Sequence, residues 1–243
     1  MRQIRAGSFG GTASDYERGR APYPDEAVRW LVEGASKVVD LGAGTGKLTS
    51  AVSRYGKEVL ALEPQHQMLL HLQRTAPSAL VACSVAESLP VRSGGADVVV
   101  VAQAFHWFDQ QRAVPEIRRI LSPGGRLGLI WNVRDESIDW VAELARIAGP
   151  ENSLETRAQL DQLPGFRPFE HRTWRTTQVM DEATLLAHVR SRSNVAAMTE
   201  RDRRRALNQV AELCNTHSAL AGRVSFDLPY ETHAFRTRLA PPG

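Results

Sequence analysis

The sequence predicts an α/β fold, a doubly wound and mostly parallel sheet with helices on both faces, from three observations. Val38, Val39, Asp40 and Leu41 form an apolar run that enters the glycine-rich turn Gly42-Ala43-Gly44-Thr45-Gly46. From Lys47 to Tyr55 a helical period places Leu48, Val52 and Tyr55 on one face, and Gly56 stops that helix. Further apolar runs follow at 59–63, 80–83, 96–102 and 126–132, separated by helical patterns. Runs with so little polar alternation suit strands covered on both faces, as in a parallel sheet.

At 243 residues the chain is long enough for one α/β domain with a full core, so a single domain over 1–243 is expected. A formal charge of +3 and a pI near 9.1 are mild and spread along the chain, so no nucleic-acid partner is expected from composition. The densest basic cluster, Arg201 to Arg205, falls in a predicted helix and reads as a solvated face. Cys83 and Cys214 stand in no C-x-x-C pattern, which points to reduced thiols in a cytoplasmic protein and to no metal site. Neither an apolar leader core nor an eighteen-residue apolar run is present, so no membrane segment is expected.

Residues 9–24 (FGGTASDYERGRAPYP) are too polar and proline-bounded to form a core element alone. Asp25 is expected to cap a helix over Glu26 to Val32, with Val28, Leu31 and Val32 inward and Gly34 ending it. After the glycine turn and its helix, Val59 to Glu63 reads as a buried strand ending on an acid about twenty residues past the glycines. A carboxylate there can accept hydrogen bonds from a ribose diol. Pro64 is expected to start the next helix, whose buried stripe is Met68, Leu69 and Leu72. Leu80 to Cys83 makes a third strand and Ala96 to Ala102 a fourth, followed by Gln103-Ala104-Phe105-His106-Trp107-Phe108. Ligands of open parallel sheets bind outside the carboxyl ends of the strands, which places this segment over the reaction. Asp109 is expected to cap a helix carrying Ala113, Val114, Ile117, Ile120 and Leu121, with an irregular first turn because of Pro115. Ser122-Pro123-Gly124-Gly125 reads as a tight turn into the strand Arg126 to Asn132, and Ser137 as the cap of a helix ending at Gly149. Beyond Pro150, Glu170 to Met180 reads as a strand, Asp181 opens a helix, Thr199 to Asn215 forms another, and Val224 to Arg238 is a final strand.

The spacing Asp40-x-Gly42-x-Gly44-x-Gly46 departs from the dinucleotide pattern G-x-G-x-x-G, whose last glycine would stand at Lys47. VVDLGAGTG followed by LALEP instead resembles motif I and its successor in class I S-adenosyl-L-methionine (SAM)-dependent methyltransferases, of the methyltransferase type 11 kind. Leu121-Ser122-Pro123-Gly124-Gly125 matches that family's L-x-P-G-G signature, and Ser84 to Pro90 its G-x-A-E-x-L-P segment, with Ser84 in the glycine place. The opening resembles F-x-x-x-A-x-x-Y-x-x-x-R-P-x-Y-P of a small-molecule branch that includes trans-aconitate methyltransferase-like proteins. Phe9, Ala13, Tyr16, Arg20, Tyr23 and Pro24 match, while Ala21 replaces the proline after the arginine.

The resemblance implies a Rossmann-like seven-stranded sheet with an antiparallel C-terminal strand pair and a small helical cap. Its parts would be an N-terminal lid over 1–24, a SAM-binding core over 25–149, and cap helices with sheet-closing strands over 150–243. Cofactor contacts are implied for Asp40, Gly42, Ala43, Gly44, Glu63 and Pro64. Ala86 and Glu87 would read the adenine edge, Gln103 would join them, and Tyr16 or Arg20 would meet the SAM carboxylate. Met68 reads either as core or as a contact to the adenine. Phe9, Trp107, Phe108 and Trp131 are the implied acceptor pocket. Histidine suits general-base work near neutral pH, and His106 is the histidine beside the presumed reaction site, where a packing role is the competing reading.

The expected activity is transfer of a methyl group from SAM to oxygen or nitrogen of a small-molecule acceptor, by a monomer or homodimer. D/N-P-P-Y/F, the mark of enzymes that methylate exocyclic amines of bases, does not follow the fourth strand. The competing readings are a SAM-binding protein without catalysis and an RNA methyltransferase, and methyl transfer to an acceptor or salt-sensitive RNA binding would separate them.

Overall fold

The computed structural model describes residues 21–149 and 157–241. Among these, seven strands are β1 (Lys37–Leu41), β2 (Glu58–Leu62), β3 (Leu80–Ala82), β4 (Ala96–Ala102), β5 (Leu121–Arg134), β6 (Glu170–Met180) and β7 (Phe226–Arg238). They form one sheet in the order β3-β2-β1-β4-β5-β7-β6. The first five strands in that order pair in parallel, with Val38 opposite Val59 on one side and Val98 on the other, and the C-terminal pair runs antiparallel. The helices are α1 (Asp25–Val32), α2 (Lys47–Ser53), α3 (His66–Thr75), α4 (Gln110–Ile120), α5 (Asp139–Ala148), α6 (Arg157–Leu160), α7 (Glu182–Arg190), α8 (Ser193–Ala196) and α9 (Glu200–Thr216).

The described chain divides into two compact units, whose boundaries fall inside β5, β6 and β7. The larger comprises residues 23–132, 157–174 and 232–241. Its core joins Val28 and Leu31 of α1, Leu48 and Val52 of α2, and Val38, Val59, Val98, Val100 and Ile130 of the sheet. Each fully buried aliphatic side chain of this kind contributes about 1.5–3 kcal/mol, so these parallel strands hold the loops at their carboxyl ends in fixed register. Packing is close enough that a Cβ on Gly128 would approach Leu31 Cδ2 to 3.0 Å.

The smaller unit comprises residues 21–22, 133–149 and 175–231. Trp140, Val141 and Leu144 of α5 pack with Leu185 and Val189 of α7, Val210 and Leu213 of α9, and Leu228 of β7. Cys214 is buried there, which pushes its thiol up to about 11, while Cys83 of the larger unit is exposed. The Asp181 carboxylate caps α7 as expected, accepting from the Thr184 N–H at 2.7 Å, and Thr199 caps α9. Asp181→Ala should cost about 1 kcal/mol. Equilibrium urea unfolding would show it as a lower midpoint at unchanged slope, and an unchanged midpoint would remove the cap from the account.

Several local expectations are corrected. Asp25 is the first residue of α1 rather than its cap, and its carboxylate pairs with Arg54 at 2.9 Å. Pro64 precedes the helix start, since α3 begins at His66 with Gln65 as its N-cap. Asp109 does occupy the N-cap of α4, but its side chain makes no cap bond; α4 also runs unbroken through Pro115 with a regular first turn. Proline there removes one bond to the carbonyl of Gln111, and the buried stripe Ala113, Val114, Ile117 and Ile120 holds the helix regardless. Ser122 to Gly125 lie within β5 rather than ahead of it, and the register shifts across them, from Ala96 opposite Leu121 to Val98 opposite Arg126. Ser137 bonds back to Asp135 rather than capping α5, whose N-cap is Ile138.

Candidate active site

At the carboxyl end of β1 the chain turns through Gly42 and Gly44, which take φ of +71° and +57°. An L side chain resists that left-handed region, so glycine is the residue the turn can use. The N–H groups of Gly42 and Ala43 both donate to Leu62 O, at 2.8 and 3.1 Å, which ties the loop to the end of β2. Glu63 follows directly. Its Oε2 accepts from the Gly44 N–H at 3.0 Å and its Oε1 from the Gln65 N–H at 3.0 Å. The carboxylate is 6 % exposed, and burial pushes it above the ordinary carboxylate range while the two N–H groups pull it back. Each oxygen retains a lone pair, so the acid can hold the loop and still accept from a hydroxyl.

Beneath the loop, Asp40 Oδ2 accepts from Thr49 Oγ1 at 2.6 Å, both residues being fully buried. The bond joins the end of β1 to the first turns of α2 and closes the base of the loop. Desolvation raises the Asp40 carboxyl to about 7, the Thr49 hydroxyl opposes the rise, and the neighbouring Glu63 adds to it. Thr49 was not legible as a site residue; its one sign in the sequence is a hydroxyl on the buried face of the helix.

The segment after β4 folds back over this loop. A Cβ built on Gly42 would lie 2.9 Å from Ala104 Cβ and 3.4 Å from Phe108 Cζ, so the predicted pocket residue Phe108 packs directly on the glycine turn. Phe105 to Trp107 form a 3₁₀ turn in which Phe105 is buried and meets Phe108 edge-on at 5.8 Å. His106 is half-buried, its ring 4.8 Å from that of Trp107. Gln103 takes φ of +56°, the one positive value outside glycine among the described residues. Two bonds hold it there: its N–H donates to Ile130 O at 3.0 Å and its Nε2 to Asn132 O at 2.9 Å. Asn132 is in turn fixed by Thr232, whose hydroxyl donates to Oδ1 at 2.7 Å. Strain of this kind persists where surrounding bonds over-determine it, and it sets the course of the next five residues.

The other predicted residues fall as follows. Glu87 Oε1 accepts from the Asp109 N–H at 2.8 Å, so this acid anchors the start of α4. Ala43, Ala86 and Met68 are buried, and Pro64 O accepts from Cys83 Sγ at 3.5 Å. Trp131 is 1 % exposed and packs edge-on against Phe235 in the interior. Phe9, Tyr16 and Arg20 lie outside the described residues. Among the described residues no cluster of three metal-ligating side chains occurs, and no helix is long and apolar enough to cross a membrane.

Sheet order, glycine turn and buried acid together define an α/β core built to hold a nucleoside-bearing cofactor at the carboxyl ends of β1 and β2. A family model described as "Methyltransferase domain" matches residues 39–129, the stretch that carries the glycine turn and the buried acid. An uncharacterized methyltransferase of Mycobacterium tuberculosis is 40% identical over 235 residues, covering 96% of each chain. A methyltransferase-like protein of Schizosaccharomyces pombe is 28% identical over 251 residues, covering 98% of each. In fold, the chain is similar to a proposed type II methyltransferase from Anaeromyxobacter dehalogenans, with a TM-score of 0.67, 24% identity, and 92% of this chain and 99% of that one covered. The chain belongs to the class I SAM-dependent methyltransferases. Its cofactor is therefore SAM, and the residues present fit it: among the described residues, apart from its chain neighbours, no atom lies within 4 Å of a Cβ position on Gly44, and the Glu63 carboxylate, an acceptor suited to a ribose diol, takes the Gly44 N–H.

That open side yields a sharp expectation. Gly44→Val meets no clash among the described residues, so the folding cost they impose is the left-handed backbone alone, at least about 1–2 kcal/mol. The variant should fold and yet lose SAM binding, because the new side chain stands where the cofactor must approach. Calorimetric titration showing wild-type affinity in folded Gly44→Val protein would reduce the glycine to a turn residue.

Proposed function

We propose that the methyl group is transferred to oxygen or nitrogen of a small-molecule acceptor, with the acceptor bound against the Gln103 to Phe108 segment. The observation that carries this reading is the packing of Ala104 and Phe108 on Gly42, which seats the segment carrying His106 and Trp107 at the same end of the sheet as the glycine turn. Bound SAM supplies a methyl group on a sulfonium centre, already activated for in-line displacement. Alignment and the exclusion of water are then the main tasks left to the protein. In this reading Glu63 accepts from the ribose hydroxyls, and Gly42, Ala43 and Gly44 offer backbone against the cofactor. Aromatic faces of Trp107 and Phe108 stabilise positive charge. His106 takes the proton released from the acceptor's O–H or N–H through a ring nitrogen. Assignment of residues 1–24 as a lid, with Tyr16 or Arg20 on the cofactor carboxylate, belongs to the same proposal and is supported by the sequence resemblance.

Incubation of the purified protein with methyl-labelled SAM, in parallel with a metabolite extract and with total RNA, tests it. Label is expected in the small-molecule fraction. Label confined to RNA would replace the acceptor class, and label in neither would favour cofactor binding without transfer.

A further inference from the structure

Between β3 and β4 the chain runs from Cys83 to Gly95 without a helix, and among the described residues its one ladder contact is the isolated bridge of Val85 with Ser88. The first half of this connection is tied at both ends to the surroundings of the glycine turn. At its start, the Glu63 N–H donates to Ala82 O at 3.2 Å and Cys83 Sγ to Pro64 O at 3.5 Å, beside the acid that holds Gly44. Four residues on, Glu87 Oε1 accepts from the Asp109 N–H at 2.8 Å, next to the Phe108 ring that packs on Gly42. Residues 84–88 therefore span from the end of β2 to the segment after β4, flanking the glycine turn.

What fixes the far end of this span comes from α4. Leu89 is buried, and both of its backbone polar groups are taken by one ion pair. Glu116 Oε2 accepts from the Leu89 N–H at 2.8 Å, and Arg119 Nη2 donates to Leu89 O at 3.0 Å. Arg119 Nη1 also donates to Val91 O at 2.7 Å, and the Gly94 N–H donates to Arg119 O at 3.0 Å. Within the pair, Arg119 Nε donates to Glu116 Oε1 at 2.7 Å and Nη2 to Oε2 at 2.8 Å. A guanidinium presents its donors in a rigid planar fork, so these bonds set its orientation jointly. The bond from Arg119, and after it the Leu89 N–H, hold the Glu116 carboxyl down at about 2, so the pair stays ionised through the neutral range.

The helix itself is held by its buried stripe of Ala113, Val114, Ile117 and Ile120, and a half-buried ion pair between residues three apart adds little to that. Both side chains instead point their donors and acceptors at backbone of the neighbouring connection. We propose that Glu116 and Arg119 are positioning residues for cofactor recognition, holding Leu89 so that the 84–88 turn stands at a fixed depth against the adenine of SAM. The proposal rests on the reading, implied by the sequence resemblance, that Ala86 and Glu87 meet the adenine, and is independent of the methyl acceptor. A turn that reads a base edge by hydrogen bonds is sensitive to displacements of about 1 Å, and this one has no helix or long strand of its own to prevent them.

The test compares binding of S-adenosylhomocysteine with that of S-ribosylhomocysteine, the same molecule without its base, by calorimetry and, for weak affinities, by displacement titration. In Arg119→Ala, S-adenosylhomocysteine should bind more weakly by about ten-fold or more, while S-ribosylhomocysteine binds as it does to the wild type. Glu116→Gln keeps one acceptor for the Leu89 N–H and should show a smaller loss of the same kind; it carries the test if Arg119→Ala fails to fold by circular dichroism. The reversed pair Glu116→Arg/Arg119→Glu separates loop support from ion pairing. It restores opposite charges on α4 but sets a donor against the Leu89 N–H and a carboxylate against Leu89 O, so the preference for the base should stay lost. Equal losses for both ligands, unchanged affinity in Arg119→Ala, or recovery in the reversed pair would overturn the proposal. Wild-type protein that binds both ligands equally would overturn it as well, by removing the adenine reading beneath it. None of these outcomes bears on the acceptor class, which transfer of label decides.

Discussion

Asp40→Asn should abolish a large pH dependence of stability in this protein. The folded carboxyl titrates near 7 because burial removes it from water, against 3.8 for an exposed aspartate. A folded value above the unfolded one means that the native state binds the proton more tightly. The associated stability is therefore fully present below about pH 4 and is lost as pH rises toward 7. A rise of that size corresponds to about 4 kcal/mol. The unfolding free energy of Asp40→Asn relative to wild type should thus increase by up to about 4 kcal/mol between pH 4 and pH 8. Carboxylates held low by hydrogen bonds, such as Asp97 and Glu116, titrate in both proteins and cancel in the difference. Denaturant unfolding at four pH values measures it, and parallel curves would show that Asp40 is not the titrating group.

Glu63→Ala should weaken SAM binding by at least ten-fold, and by more if the ribose contact and the loop geometry fail together. The substitution removes the acceptor of the Gly44 and Gln65 N–H groups, at 3.0 Å each, along with the acceptor proposed for the ribose diol. Charge-assisted bonds of this kind are worth roughly 1.5–3 kcal/mol apiece. Glu63→Gln separates the two contributions, since its single carbonyl oxygen can serve one of the two N–H groups and should give an intermediate loss. Unchanged affinity for S-adenosylhomocysteine in folded Glu63→Ala protein would remove this acid from the site.

Why Glu63 was readable in the sequence and Thr232 was not is a matter of contact distance along the chain. The glycine turn and the acid belong to one β-α-β unit, in which the parallel register of β1 and β2 dictates that the end of one strand stands beside the end of the other. Asn132 and Thr232 are separated by a hundred residues, and each is an ordinary polar residue in its own strand. Nothing local marks them. Cap assignments show the same limit: Asp25 and Ser137 are residue types that cap helices, yet Asp25 pairs with Arg54 and Ser137 bonds to Asp135.

By itself, the sequence determined the sheet class, the strands that make it, the glycine turn after β1 and the acid that follows β2. These follow from short-range rules: apolar runs bury, helical period exposes one face, and glycine alone enters left-handed backbone without penalty. Tertiary structure alone decided that Ser122 to Gly125 lie within β5, that Trp131 is enclosed against Phe235, that Thr49 locks Asp40, and that Arg172 of β6 and Arg236 of β7 meet over Trp30. Each depends on which strand lies next to which, and that neighbour is chosen by packing over the whole core rather than by any residue's own preference.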